Sequence, residues 1–182
     1  MNETAIFTMM ARYNQRMNSQ LLSVCAGLPQ KQLHRDTGSL FSSILDYWNH
    51  IMFGDLVLLA RMRAQNINAS KLQSLDHFPT AISPQDRYYD NLEDFTIHRR
   101  KLDDTLHNWC KTLTTEDINS VLSYQSTQGD HVSQKAIDII HHIFQHQTHH
   151  RGQLTCLLSL VGVDYGCTDL PVIVAEGSGC SF

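Results

Sequence analysis

Residues 39–65, SLFSSILDYWNHIMFGDLVLLARMRAQ, carry apolar side chains around much of the circumference when wound as a helix. Leu40, Ile44, Trp48, Ile51, Leu58 and Met62 form the densest stripe. A helix apolar on most sides is stable in water only when other elements surround it. Its most apolar part, from Ile51 to Met62, is interrupted by Gly54, Asp55 and Arg61 and is too short to span a bilayer. The covering must therefore come from protein, and three further segments have the spacing to supply it. Residues 3–26 place Ile6, Met10, Tyr13, Met17, Leu21 and Val24 three or four apart. Residues 92–113 do the same with Leu92, Phe95, Leu102, Leu106, Trp109 and Leu113, and residues 133–161 form the last helix.

The connections between these segments set the architecture. Pro29 and Gly38 punctuate the first. The link over 66–91 contains Pro79 and Pro84 and is too long to join neighbouring antiparallel helices, so it is expected to cross along the bundle. SVLSYQSTQGDHV (120–132) alternates weakly about Gly129–Asp130, as a small hairpin before the last helix would. The stretch after Gly162 is Gly-rich and expected to be irregular. The expected fold is all-α: a four-helix bundle with one long crossover, as a single domain over 1–182. With 42% apolar and 18% charged residues, a chain of this length can bury a core without a metal staple. Any ion it holds is then expected to serve function.

Charge excludes one class of partner. The net charge is −4, and no Lys/Arg cluster is present to hold a phosphate backbone, so nucleic-acid binding is not expected. Cys25, Cys110, Cys156, Cys167 and Cys180 are odd in number and form no C-x-x-C, and the opening residues are not a signal peptide. A cytoplasmic location is expected, with each cysteine a small buried apolar residue and no membrane partner.

Histidines mark the last helix. HHIFQHQTHHRGQL (141–154) holds five of them. At 100° per residue from Ala136, the apolar stripe of Ala136, Ile140, Ile143 and Leu154 is bordered by His150 at about 320° and His146 at about 280°. His141, at about 140°, points away, while His142 and His149 lie on the flank. His146 and His150 are one turn apart, so both rings can reach a single ion. The same spacing also suits rings hydrogen-bonded in a core or solvated. A catalytic zinc needs a third ligand and an open position, and His34, His50, His77, His98, His107 and His131 are the candidates. His50 lies deepest in an apolar helix, but the wheel sets it beside Ser43, Tyr47, Gly54 and Arg61 rather than on the main stripe. Periodicity does not choose it.

Four stretches point further: ARYNQRMNSQLL (11–22), GSLFSSILDYWNHIMFGDLVLLAR (38–61), HIFQHQTHHRGQL (142–154) and GVDYGCTDLP (162–171). Together they resemble the DinB-like, damage-inducible family of metal-binding four-helix bundles. The third is the most specific. The resemblance implies a commonly homodimeric bundle holding a divalent metal on three histidines, one in the second helix and two in the fourth: here His50, His146 and His150. His149 then becomes the neighbour of a ligand, at a packing or dimer surface. Arg151 is a surface group or a group behind the ligands. Asn14 and Asn18 serve packing. Asp55, among apolar neighbours, must be paired if buried, and a structural hydrogen bond is preferred over orientation of an imidazole. Gly152, costly in mid-helix, suggests close helix contact.

No carboxylate lies among Gln147, Thr148 and His149, so peptide hydrolysis in the H-E-x-x-H manner is not expected. Relatives that use mycothiol or bacillithiol suggest a thiol-dependent S-transferase or a hydrolase of small molecules, with zinc as the default ion, nickel possible and a low-molecular-weight thiol as cofactor. The competing expectation is a non-catalytic, dimeric metal-binding bundle of a stress response. A third keeps the fold and loses the ion, leaving a protonatable histidine cluster. Catalytic and cofactor-binding residues stay unassigned.

Overall fold

The computed structural model describes residues 3–126 and 128–171. Four long helices dominate: α1 (Glu3–Ala26), α3 (Ile44–Ala64), α4 (Leu92–Cys110) and α6 (Ala136–Leu160). Two short helices, α2 (Gln30–Leu33) and α5 (Thr115–Asn119), lie in the connections. α1 packs chiefly on α4 and α3 on α6, and lesser contacts of α1 with α6 and of α3 with α4 join the two pairs into a bundle. The expected hairpin is present: β1 (Val121–Gln125) pairs antiparallel with β2 (His131–Lys135), with Tyr124 opposite Val132. The long link contains a 3-10 stretch, Ala69–His77, tied to α4 by the Trp109 Nε1–H bond to the Ile67 carbonyl at 3.0 Å.

α3 begins at Ile44, five residues later than the apolar run suggests. Local bonds hold the preceding segment out of the helix: Thr37 N–H reaches the Ser42 carbonyl at 2.8 Å, and Ser39 Oγ donates to the Phe41 carbonyl at 2.9 Å. Ser43 then caps the helix, accepting from the Asp46 N–H at 3.2 Å. Leu40, read as part of the stripe, is consequently 74% exposed.

In α1 the buried stripe is displaced from the expected one. Phe7, Ala11, Asn14, Asn18, Leu21, Leu22 and Cys25 face inward, with Met17, whereas Ile6 is 43% exposed. The reason is that two asparagines hold core positions, and a hydrophobicity wheel rotates away from them. In α4 the expected apolar row of Leu92, Phe95, Leu102, Leu106 and Trp109 is buried as read, and Leu113 just beyond the helix is buried too. Arg99 shares that row and is fully buried.

Residues 163–169 are irregular, as expected, and lie against α1: Tyr13 OH donates to the Thr168 carbonyl at 2.8 Å, and Gln20 Nε2 to that of Tyr165 at 2.6 Å. The rest of the Gly-rich stretch, 172–182, falls outside the described residues. Cys25 and Cys110 are buried as expected, but Cys156 and Cys167 are exposed, and Cys180 falls outside the described residues. No helix among the described residues is long and apolar enough to cross a membrane.

Candidate metal centre

Each ligand candidate comes from a long helix. His50 sits in the middle of α3, and His146 and His150 lie one turn apart on α6. α3 is buried on nearly every side, so it has more than one inward face. The face holding Tyr47, His50 and Gly54 meets α6, which is why a wheel centred on its densest apolar stripe misplaces His50. The Nε2 atom of His50 is 3.1 Å from Nε2 of His146 and 3.1 Å from Nε2 of His150. One nitrogen from each ring lies within 4.8 Å of the others, and no other such cluster occurs among the described residues. His34, His77, His98, His107 and His131 take no part.

The outward nitrogens decide the protonation of the inward ones. Nδ1 of His50 bonds the Pro84 carbonyl at 2.9 Å. A carbonyl only accepts, so Nδ1 carries the hydrogen and Nε2 of the neutral ring presents a lone pair to the centre. Nδ1 of His150 bonds Gln153 Oε1 at 2.7 Å with the same consequence. His146 Nδ1 is buried without a partner. Two inward lone pairs 3.1 Å apart repel unless a positive species lies between them. A proton is disfavoured. Burial pushes His146 down to about 3 and His150 down to about 4, the neighbouring histidines adding to the shift in both, and burial lowers His50 as well. The protonatable-cluster expectation therefore does not suit the folded protein near neutral pH. A cation does: two nitrogens each about 2.05 Å from a tetrahedral ion stand about 3.3 Å apart, close to the separations observed. The donor set of three neutral imidazoles fits a divalent ion of the zinc type.

Aromatic rings wall the centre. Phe41 stacks on His50 with centroids 3.9 Å apart, meets His150 edge-on at 5.6 Å and packs against Tyr47 at 5.2 Å. Phe53 lies 6.0 Å from the His50 ring on its own helix. Tyr47 and Trp48 are core residues, as their apolar neighbours suggest.

Gly54 is a site residue that periodicity did not reveal. A Cβ there would stand 2.5 Å from Nδ1 and 3.0 Å from Nε2 of His146, so the imidazole occupies the space a side chain would take. Its signal in the sequence is a glycine one turn beyond His50 in an otherwise bulky helix. Gly152 proves the reverse: a Cβ added there meets nothing within 4 Å, so no close helix contact explains it.

Behind the histidines lies a buried polar cluster. Asp55 pairs with Arg99 at 2.6 Å and accepts from Gln147 Nε2 at 2.8 Å; it touches none of the ligand rings. Arg99 also pairs with Asp103 at 2.8 Å. Arg151 is not on the surface, and it makes no hydrogen bond to His50, His146 or His150. It is buried, donating to Gln147 Oε1 at 2.8 Å, Asn14 Oδ1 at 2.6 Å and Asn18 Oδ1 at 3.2 Å. Two guanidiniums and two carboxylates thus share the interior: Arg99 is held by its ion pairs to Asp55 and Asp103, and Arg151 by hydrogen bonds to neutral amides. Burial pushes the Asp55 carboxyl up, against the pull of Arg99. His149 and His142 remain on the exposed flank.

The chain is a helical bundle in which three histidines converge between α3 and α6. The model of the DinB family matches residues 1–175, and the chain belongs to that family. Among solved structures, a DinB-like protein from Bacillus cereus ATCC 10987 shares the fold, with a TM-score of 0.61 at 17% identity over 85% of this chain and 90% of that one. No curated protein matches the chain.

Proposed function

We propose that this protein is a metal-dependent enzyme acting on small molecules, with a divalent ion held by His50, His146 and His150 and a further coordination position left for substrate or a thiol. The observation that carries the reading is the convergence of three Nε2 atoms, at least two of them stripped of hydrogen by the bonds their rings make outward. When bound, the ion supplies Lewis acidity that acidifies a water or a thiol. The chain's own residues supply neutral ligands, which leave the ion its full positive charge. Phe41 and Phe53 supply an apolar wall that keeps bulk water from the His50 ring.

One feature favours an open site over a closed structural one. The described residues contribute three ligating side chains rather than four, and structural zinc sites are closed by four. The turn between His146 and His150 carries no carboxylate, so a general base of the H-E-x-x-H kind is absent from it. Chemistry that leans on the metal and on a thiol nucleophile suits that inventory, and a thiol-dependent S-transferase or a hydrolase is the reading. Zinc is the expected ion, with nickel an alternative, in a cytoplasmic homodimer.

The test is an anaerobic titration of the Co²⁺-substituted protein with low-molecular-weight thiols, followed by a panel of electrophiles. A thiolate-to-cobalt charge-transfer band and a conjugated product support the transferase. A cobalt site that binds no thiol and forms no conjugate removes it and leaves the hydrolase or the non-catalytic bundle.

A further inference from the structure

α6 carries two pairs of residues at i, i+4 spacing, one step out of phase: His146 with His150, and Gln147 with Arg151. About 100° separates the two rows around the helix. The first row faces His50 and the second faces the buried polar cluster. α3 answers with two adjacent residues of its own: Gly54 makes room for the His146 ring, and Asp55 accepts from Gln147 at 2.8 Å.

Gln147 is the point where three helices meet. Its Nε2 donates to Asp55 on α3, while its Oε1 accepts from Asn18 on α1 at 3.1 Å and from Arg151 on α6 at 2.8 Å. It is fully buried, and its amide has both a donor and an acceptor role satisfied. A Leu or Met in its place would be stabilised by any rotation of α6 that kept it dry. An amide held from three directions permits one. The magnitude matters because an imidazole nitrogen lies roughly 7 Å from the helix axis, so a roll of about 10° moves it by roughly 1 Å. Ligand distances in metal sites hold to about 0.2 Å.

We infer that Gln147 is a positioning residue for the metal centre: with Asp55, Asn18 and Arg151 it sets the rotation of α6 and thereby aims His146 and His150 at the ion. This rests on the metal-binding reading above. The residue touches neither ion nor ligand ring; it acts through the helix that carries two of the ligands.

The experiment compares Co²⁺ binding and the cobalt d–d spectrum of the wild-type protein, Gln147→Met, Arg151→Lys and Leu106→Val. Gln147→Met keeps side-chain length and removes all three hydrogen bonds. It is expected to shift the d–d band and weaken Co²⁺ binding by about 10-fold or more, in the range seen for groups that orient ligands. Arg151→Lys keeps the charge but cannot span Asn14, Asn18 and Gln147 together, and is expected to give a smaller change in the same sense. Leu106→Val, in the apolar core of α4, should lower Tm and leave the spectrum as it is. A Gln147→Met protein of lower Tm with the wild-type band and affinity overturns the inference. If that variant does not fold, Arg151→Lys with an unchanged spectrum overturns it equally. Failure of the wild-type protein to bind Co²⁺ removes the metal reading and this inference together, whereas normal binding by wild type and variants alike removes this inference alone.

Discussion

Replacing Gly54 with Ala separates metal binding from stability in a way few other substitutions here would. In a helix interior, Ala is favoured over Gly by about 1 kcal/mol, and Gly54 lies well inside α3. The added Cβ, however, falls 2.5 Å from Nδ1 of His146, where ordinary contact begins at 3.4 Å. The backbone of α3 is packed on nearly all sides, so the ring must yield, by about 1 Å. That is several times the tolerance of a ligand bond, about 0.2 Å, so His146 leaves the coordination sphere. Changes to groups that merely orient a ligand cost about 10–100-fold in affinity. Loss of the ligand should cost at least about 100-fold. The assay pairs a chelator-competition measurement of zinc affinity with a thermal melt of the metal-free protein. The expected result is a Tm equal to or above that of wild type together with the collapse of affinity. A variant that binds zinc as the wild type does would refute the placement of His146 against Gly54.

Three further expectations follow from the same geometry. The site histidines are held neutral by burial, His146 down to about 3 and His150 to about 4, against about 6.5 in an unfolded chain. Below pH 6.5 the unfolded chain takes up protons that the folded one refuses, so the stability present above pH 6.5 is lost as pH falls towards 4. Melts of the metal-free protein should show Tm dropping between pH 7 and 5, and a level Tm would contradict this. Asn49→Ala removes a buried amide that accepts from the N–H groups of Tyr88 and Tyr89 and donates to the Tyr89 carbonyl, pinning the crossover that carries Pro84. It should cost roughly 1–3 kcal/mol in urea denaturation and weaken metal binding by freeing the His50 ring. Alanine at the exposed His142 and His149 should leave one ion bound per chain by elemental analysis; loss of the ion with either would mean that the ligand set is different.

How far the fold could be read from the chain varied with the kind of contact. The four helices and the hairpin follow from local spacing and turn residues, and the apolar row of α4 is buried as written. His146 and His150 were legible as a pair because residues one turn apart on a helix share a face. His50 was not, since its partners are 96 and 100 residues away, and no local pattern encodes a pairing at that distance. The resemblance supplied it. The polar interior was the least legible part. Hydrophobic periodicity treats Asn14, Asn18 and Arg151 as outward residues, though each lies in the core. Arg99 did leave a trace, four residues after Phe95 and three before Leu102 in a buried row. Its burial needed Asp55 and Asp103 as partners, and only the assembled bundle provides both.

The proposed function depends above all on three imidazoles sharing one cation. X-ray absorption at the metal edge tests this most directly, on protein purified without a nickel column and supplied with zinc. The expected spectrum fits one ion per chain with three imidazole nitrogens at about 2.0–2.1 Å, and falls to two nitrogens when His50 is replaced by Ala. A protein that retains no zinc, or a zinc shell that is unchanged by the loss of His50, would contradict it.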